Sequence, residues 1–203
     1  QHQLKMNSDL PYDIGEAAQR RNFGVVRAWL AGGSASAPHS VNALGPGIDN
    51  YTLLHWTASS AQAPEDVEFA RYLISQGVRL DAQSTVTGYS ALHYASERID
   101  EADAALVSVL VAAGASVNHL SDYGETPLFN IHMASESTID IVATLLRAGA
   151  SLDLVQPIRT IRQGSVRSFE ELLNHIDVDP DRRAHVGAVR TLVASVRAAG
   201  SWK

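Results

Sequence analysis

Three stretches of this chain repeat one another, and that recurrence constrains the fold more than any other feature. Residues 51–58 (YTLLHWTA), 89–96 (YSALHYAS) and 125–132 (ETPLFNIH) each place a hydroxyl residue, Thr52, Ser90 or Thr126, two positions before a leucine, Leu54, Leu92 or Leu128. His55 and His93 follow the first two leucines, and Phe129 takes that place in the third. Downstream of each lies an apolar stretch with helical periodicity that ends in glycine: residues 69–77 closing at Gly77, 106–114 at Gly114 and 141–149 at Gly149. A hydroxyl side chain before a helix caps its N-terminus, and Pro127 stands where a first turn accepts proline. A glycine after an apolar helix supplies a left-handed C-terminal turn. Each unit carries an apolar face too wide for a lone helix to hide, so the units have to stack.

After two of the glycines the chain continues alike, GASVN at 114–118 and GASLD at 149–153, and Gly77 continues similarly as GVRLD. These residues resemble the ankyrin repeat, most closely over 114–128 (GASVNHLSDYGETPL). Two weaker units flank the three strong ones. Residues 12–33 keep Ala17, Ala18, Val25, Val26 and a closing glycine, and 167–200 carry helical stretches near 168–176 and 183–199. The resemblance implies an all-α ankyrin-repeat solenoid, built of stacked helix-turn-helix units with β-hairpin fingers. It would form a single domain over 1–203, with repeats near 10–37, 49–83, 88–120, 124–155 and 165–201.

The spacing from Tyr12 to Thr52, Ser90 and Thr126 is 40, 38 and 36 residues, longer than the ankyrin period of about 33. The surplus falls in two kinds of place. Residues 59–68, 97–105 and 133–140 are polar, small and acidic, and read as solvated loops between first and second helices. Longer hairpin linkers are expected at 34–50 and 154–166, the latter with a possible strand pair in IRTIR at 158–162.

The remaining composition removes whole classes of chemistry. Cysteine is absent from the 203 residues, which excludes disulfides, thiol nucleophiles and thiolate zinc sites and fits a reducing, cytoplasmic or otherwise intracellular setting. No apolar run approaches the roughly 18 residues of a membrane span. Residues 1–10 lack the apolar centre of a signal peptide, and a first residue of Gln rather than Met leaves open the removal of an upstream segment. The eight histidines show no metal-ligand spacing, and no nucleophile elbow or phosphate loop is present. Neither a cofactor nor a metal is expected, and nothing argues for an enzyme.

Net charge is −6, unevenly spread. Residues 49–153 hold 14 acidic and 4 basic groups, whereas 154–203 hold 8 basic and 5 acidic. An acidic centre favours a basic or mixed-charge partner segment and disfavours a phosphate backbone or an anionic membrane. By the ankyrin resemblance, the work of the chain is non-catalytic protein–protein interaction through a concave face and finger tips, with a monomer expected. Tyr51, Tyr89 and Glu125 share the position before the capping hydroxyl, Asp122 and Tyr123 sit at a finger tip, and Glu97 lies in an acidic stretch beside the same face. These six are the candidate partner-binding residues, although Tyr51 and Tyr89 equally suit padding between fingers. Trp29, Trp56 and Tyr94 read as packing. His55 and His93 are implied to link adjacent fingers structurally. Two other functions stay open: a regulatory or adaptor subunit, switched by modification at a site such as Asn118 or recruiting a catalytic partner, and weak nucleic-acid or anionic-surface binding through the arginines of the C-terminal end.

Overall fold

The structure, a computed structural model, describes residues 10–32, 39–45, 49–97, 101–131, 137–153, 168–175 and 183–200. Linker 154–166, with the IRTIR stretch, lies outside the described residues, as does most of the insertion at 34–38 and 46–48. Nine helices occur among the described residues: α1 Tyr12–Gln19, α2 Phe23–Ala31, α3 Leu53–Ser60, α4 Pro64–Ser75, α5 Ala91–Glu97, α6 Glu101–Ala112, α7 Ser137–Arg147, α8 Phe169–His175 and α9 Arg183–Ala199. They stack in two rows. The inner row runs α1, α3, α5, and the outer row joins α4, α6, α7 and α9 in succession.

The leucines after the capping hydroxyls fill the space between rows. Leu54, Leu92 and Leu128 are buried, as are Phe69, Leu106 and Ile141 of the second helices. Packing also runs along the outer row, where Phe23 of α2 stacks on Phe69 of α4 with ring centroids 4.2 Å apart. The three closing glycines, Gly77, Gly114 and Gly149, have φ of +79°, +96° and +89°, a region that penalises a β-carbon.

Two readings need correction. The stretches 59–68, 97–105 and 133–140 are not simply loops, because α4, α6 and α7 begin inside them at Pro64, Glu101 and Ser137. Asp66 and Asp103, the third residues of α4 and α6, and Thr138, the second residue of α7, are fully buried. Asp66 Oδ2 accepts the amides of Gln62 (2.9 Å) and Ala63 (2.8 Å), and its Oδ1 accepts from Arg21 Nε at 2.8 Å. A carboxylate at the third helical position that reaches back over proline is a helix-start signal rather than a solvated acid. The second correction concerns the third unit. Thr126 is followed by a turn at 127–130, not by a helix like α3 and α5.

The fingers are tighter than hairpins with strand ladders. Among the described residues no strand forms, and Leu44 makes an isolated bridge. Each finger is closed by a backbone bond: Gly45 N to Tyr51 O (2.6 Å), Ser84 N to Tyr89 O (2.9 Å) and Ser121 N to Glu125 O (2.9 Å). Neighbouring fingers touch closely at Gly88, where a β-carbon would stand 2.5 Å from the amide nitrogen of Asp122. That amide donates to Thr87 O at 3.0 Å.

Candidate functional site

Thr52 and Ser90 open the inner helices, and each builds the same polar joint. The Thr52 amide donates to His55 Nδ1 at 3.1 Å, and the Thr52 hydroxyl contacts the same nitrogen at 2.9 Å. Ser90 repeats this with His93 at 3.2 and 2.9 Å. Because an amide can only donate, Nδ1 is the acceptor and the proton sits on Nε2. His55 Nε2 therefore donates to Tyr89 O, and His93 Nε2 to Glu125 O, both at 3.1 Å. Each of these carbonyls also accepts the bond that closes its finger, so both lone pairs are used and inner helix, finger and next unit lock together. Burial, as the largest cause, pulls both imidazoles down to about 4, which keeps them neutral at ordinary pH. The two histidines are framework, as the resemblance implies.

Tyr51 and Tyr89 stack on these imidazoles, at centroid distances of 5.5 and 5.1 Å. Their rings extend a continuous aromatic series across the units. Trp56 meets Tyr51 at 4.9 Å, Tyr51 meets Tyr94 at 5.4 Å, Tyr94 meets Tyr89 at 5.4 Å and Tyr89 meets Tyr123 at 6.1 Å, all edge to face. The Tyr51 and Tyr94 hydroxyls are 2.6 Å apart, and the Tyr94 hydroxyl lies 3.3 Å from Thr87 Oγ1. Tyr89 Oη is 3.0 Å from both Glu125 Oε2 and Asn130 Oδ1. Asn130 Nδ2 donates to His93 O at 3.2 Å, which fixes the amide.

Four of the six candidates, Tyr51, Tyr89, Tyr123 and Glu125, thus gather along one face, and the charge of the fifth, Glu97, acts on three of them. Tyr51 and Tyr89 also bridge neighbouring units and are half-buried, so they pad the fingers while keeping part of each ring free. Tyr123 is 40% exposed. Tyr94 is buried and Trp56 half-buried, yet both belong to the same aromatic series. Asp122 stands apart, with its carboxylate against Gly88. Sequence reasoning also passed over Tyr12, which is 73% exposed at the start of α1, and Asn130. Asn130 is three residues past Pro127, in a turn with no repeat signature.

The electrostatics of the face are one-sided. Burial raises the Tyr51 phenol first, with the Tyr94 bond and the Asp49 and Glu97 charges adding to it. Burial also raises the Tyr89 phenol, with Glu125 and Glu97 adding to it. Burial raises the Glu125 carboxyl, the Tyr89 hydrogen bond opposes the rise and the Glu97 charge adds to it.

A second series of contacts staples the fingers to the outer-row turns. Asn42 Nδ2 donates to Gly77 O (3.2 Å) while its Oδ1 accepts the Arg79 amide (2.6 Å). Asn118 does the same with Gly149 O (3.0 Å) and the Ser151 amide (2.8 Å), and Asp81 Oδ1 accepts the Ser116 amide. Both atoms of the Asn118 amide are therefore committed to structure. The SVN of residues 40–42 matches the SVN of 116–118 and marks the first finger within the long linker.

The C-terminal arginines are partly engaged as well. Arg190 donates to Leu173 O at 2.8 Å, and Arg197 pairs with Asp153 and with Glu170 (2.6 Å). Among the described residues no group of histidine or acidic side chains could hold a metal ion, and no helix is long and apolar enough to cross a membrane. A family model described as ankyrin repeats, in three copies, matches residues 14–118. A comparison with curated proteins gave no match.

Proposed function

The chain belongs to the ankyrin-repeat family, whose members are general protein-interaction modules, and from that premise we propose that it binds a protein partner along the face carrying Trp56, Tyr51, Tyr89 and Tyr123. The observation that carries this is the aromatic series itself, which runs across successive units with Tyr51 and Tyr89 half-buried and Tyr123 exposed. Tyrosine on a rigid frame gives large contact area at small side-chain entropy cost, and such residues dominate binding energy. The His55 and His93 joints fix the rings before any partner arrives, which lowers the ordering cost of association. Recognition, not catalysis, is the work of this surface, and an intracellular setting suits it. Engagement of Arg190 and Arg197 within the fold leaves less positive charge for a nucleic acid.

The test is affinity capture with the wild-type chain and with a Tyr51→Ala, Tyr89→Ala, Tyr123→Ala variant, with cooperative thermal unfolding as the check on folding. Partners captured by the wild type are expected to be lost from the variant. Retention of all of them by a folded variant would overturn the assignment of the face.

A further inference from the structure

Tyr89 Oη stands between two oxygens, Glu125 Oε2 and Asn130 Oδ1, each at 3.0 Å. A phenol carries one proton and can commit it to only one of them. The amide cannot turn round to help. Asn130 Nδ2 already donates to His93 O at 3.2 Å, and a turned amide would set its oxygen against that carbonyl. With Glu125 ionised, one contact at Tyr89 therefore brings two oxygens together without a hydrogen between them. All three side chains are half-buried, where such a contact is costly. A proton on Glu125 Oε2 removes the conflict. Glu125 then donates to Tyr89 Oη, Tyr89 to Asn130 Oδ1 and Asn130 to His93 O, so each hydrogen in the row meets one acceptor.

We propose that Glu125, Tyr89 and Asn130 form a proton-operated latch, closed while Glu125 is a carboxylic acid donating to Tyr89 and opened when that proton leaves to solvent. On opening, the carboxylate draws the Tyr89 proton to itself, because a bond to the charged form is the stronger one. Asn130 Oδ1 is then released as an acceptor that an N–H of a partner segment can take, and the face gains one negative charge. As control of a partner-binding face the inference rests on the reading above; the proton count does not. The surroundings of the carboxyl act in the same sense. His93 is neutral and gives its Nε2 hydrogen to Glu125 O, not to the side chain, and the His119 ring meets His93 at 6.0 Å. Tyr123 meets the Tyr89 ring. Burial and the Glu97 charge both favour the protonated carboxyl, and the Tyr89 bond opposes this only while it is made to Glu125.

The experiment is a carbon NMR titration of the full chain, labelled in its glutamate carboxyls, with Glu125→Gln identifying the resonance. The Glu125 midpoint is expected above the ordinary 4.5, and the Asn130 side-chain amide is expected to shift with the same midpoint. Two variants separate a latch from burial alone, with thermal unfolding as the check on folding. Asn130→Leu keeps side-chain size and makes the site more apolar, so burial alone would hold or raise the Glu125 midpoint. The latch predicts a fall, because Tyr89 is then free to donate to the carboxylate. In Tyr89→Phe the Asn130 amide is expected to stop following Glu125, whereas a charge effect through space would persist. A cation at the carboxylate would bring the wild-type midpoint to 4.5 or below; Arg98, beside Glu97 in the sequence and outside the described residues, is a candidate. Such a midpoint overturns the proposal. So does an unchanged or raised midpoint in folded Asn130→Leu, or an Asn130 amide that titrates alike with and without the Tyr89 hydroxyl. If the titrations are as expected but the triple tyrosine variant keeps its captured partners, the latch stands and its control of a binding face falls.

Discussion

His55 and His93 are held as neutral rings whose three polar contacts are all inside the fold. Their folded values of about 4 lie below the ordinary 6.5, so the unfolded chain binds protons first as pH falls. The stability they contribute is complete above about pH 6.5 and is lost as pH drops toward 4, on the order of 3 kcal/mol for each ring at the limit. The raised Glu125 carboxyl acts in the opposite sense, since taking up its proton favours the folded form. NMR titration should place both imidazole midpoints near 4, and the urea midpoint should fall between pH 7 and pH 4.5; an imidazole midpoint near 6.5 would contradict the joint. The third unit shows what replaces this joint. With Phe129 in the histidine position, Thr126 Oγ1 is buried without a partner, and the Phe129 ring packs on Phe169 of the next unit at 5.7 Å. Placing phenylalanine at His93 would strand Ser90 Oγ and remove one of the two bonds to Glu125 O. His93→Phe is therefore expected to cost about 2 kcal/mol, measured by urea unfolding. Full retention of stability would mean that the joint is dispensable.

At the scale of the element, Asp66 decides where α4 starts and ties it to the first unit through Arg21. Asp66→Ala leaves two amides and a guanidinium without their acceptor and is expected to cost about 3 kcal/mol or more, read from the thermal midpoint and denaturant unfolding. A loss below 1 kcal/mol would show that water replaces the carboxylate. The sequence was legible wherever one residue type performs one local task. Gly77, Gly114 and Gly149 marked helix ends because a positive φ selects glycine, and Thr52 and Ser90 marked helix starts through their side-chain oxygens. Legibility failed where a residue had two explanations. Asp66 and Asp103 read as solvated charge, although the position three residues before Phe69 or Leu106 is buried. The pattern at Thr126 promised a helix, but Phe129 removes the ring nitrogen that completes such a start at His55 and His93. At the candidate face the tyrosine positions were visible from repeat phase. The participation of Tyr94 and Trp56 was not, because packing and exposure can share one ring.

For the whole molecule, stacking makes stability a sum of unit and junction contributions, lowest at the ends. Hydrogen exchange should show the greatest protection in α3 through α6 and the least in α8 and α9, which join the array through α7, the Leu152 carbonyl and the exposed Arg197 pairs. Arg197→Ala should shift overall stability by less than about 1 kcal/mol, because exposed ion pairs contribute little, while raising exchange rates in α9. Uniform protection along the chain would contradict a unit-by-unit array. The interruption at Phe129 also bears on how such an array can be rebuilt. At either histidine joint, a transplanted unit would have to present a backbone carbonyl at one fixed height. Between Phe129 and Phe169 it need present only an apolar ring, so lengthening by duplication or grafting is least constrained there, while the order of the preceding units is locked.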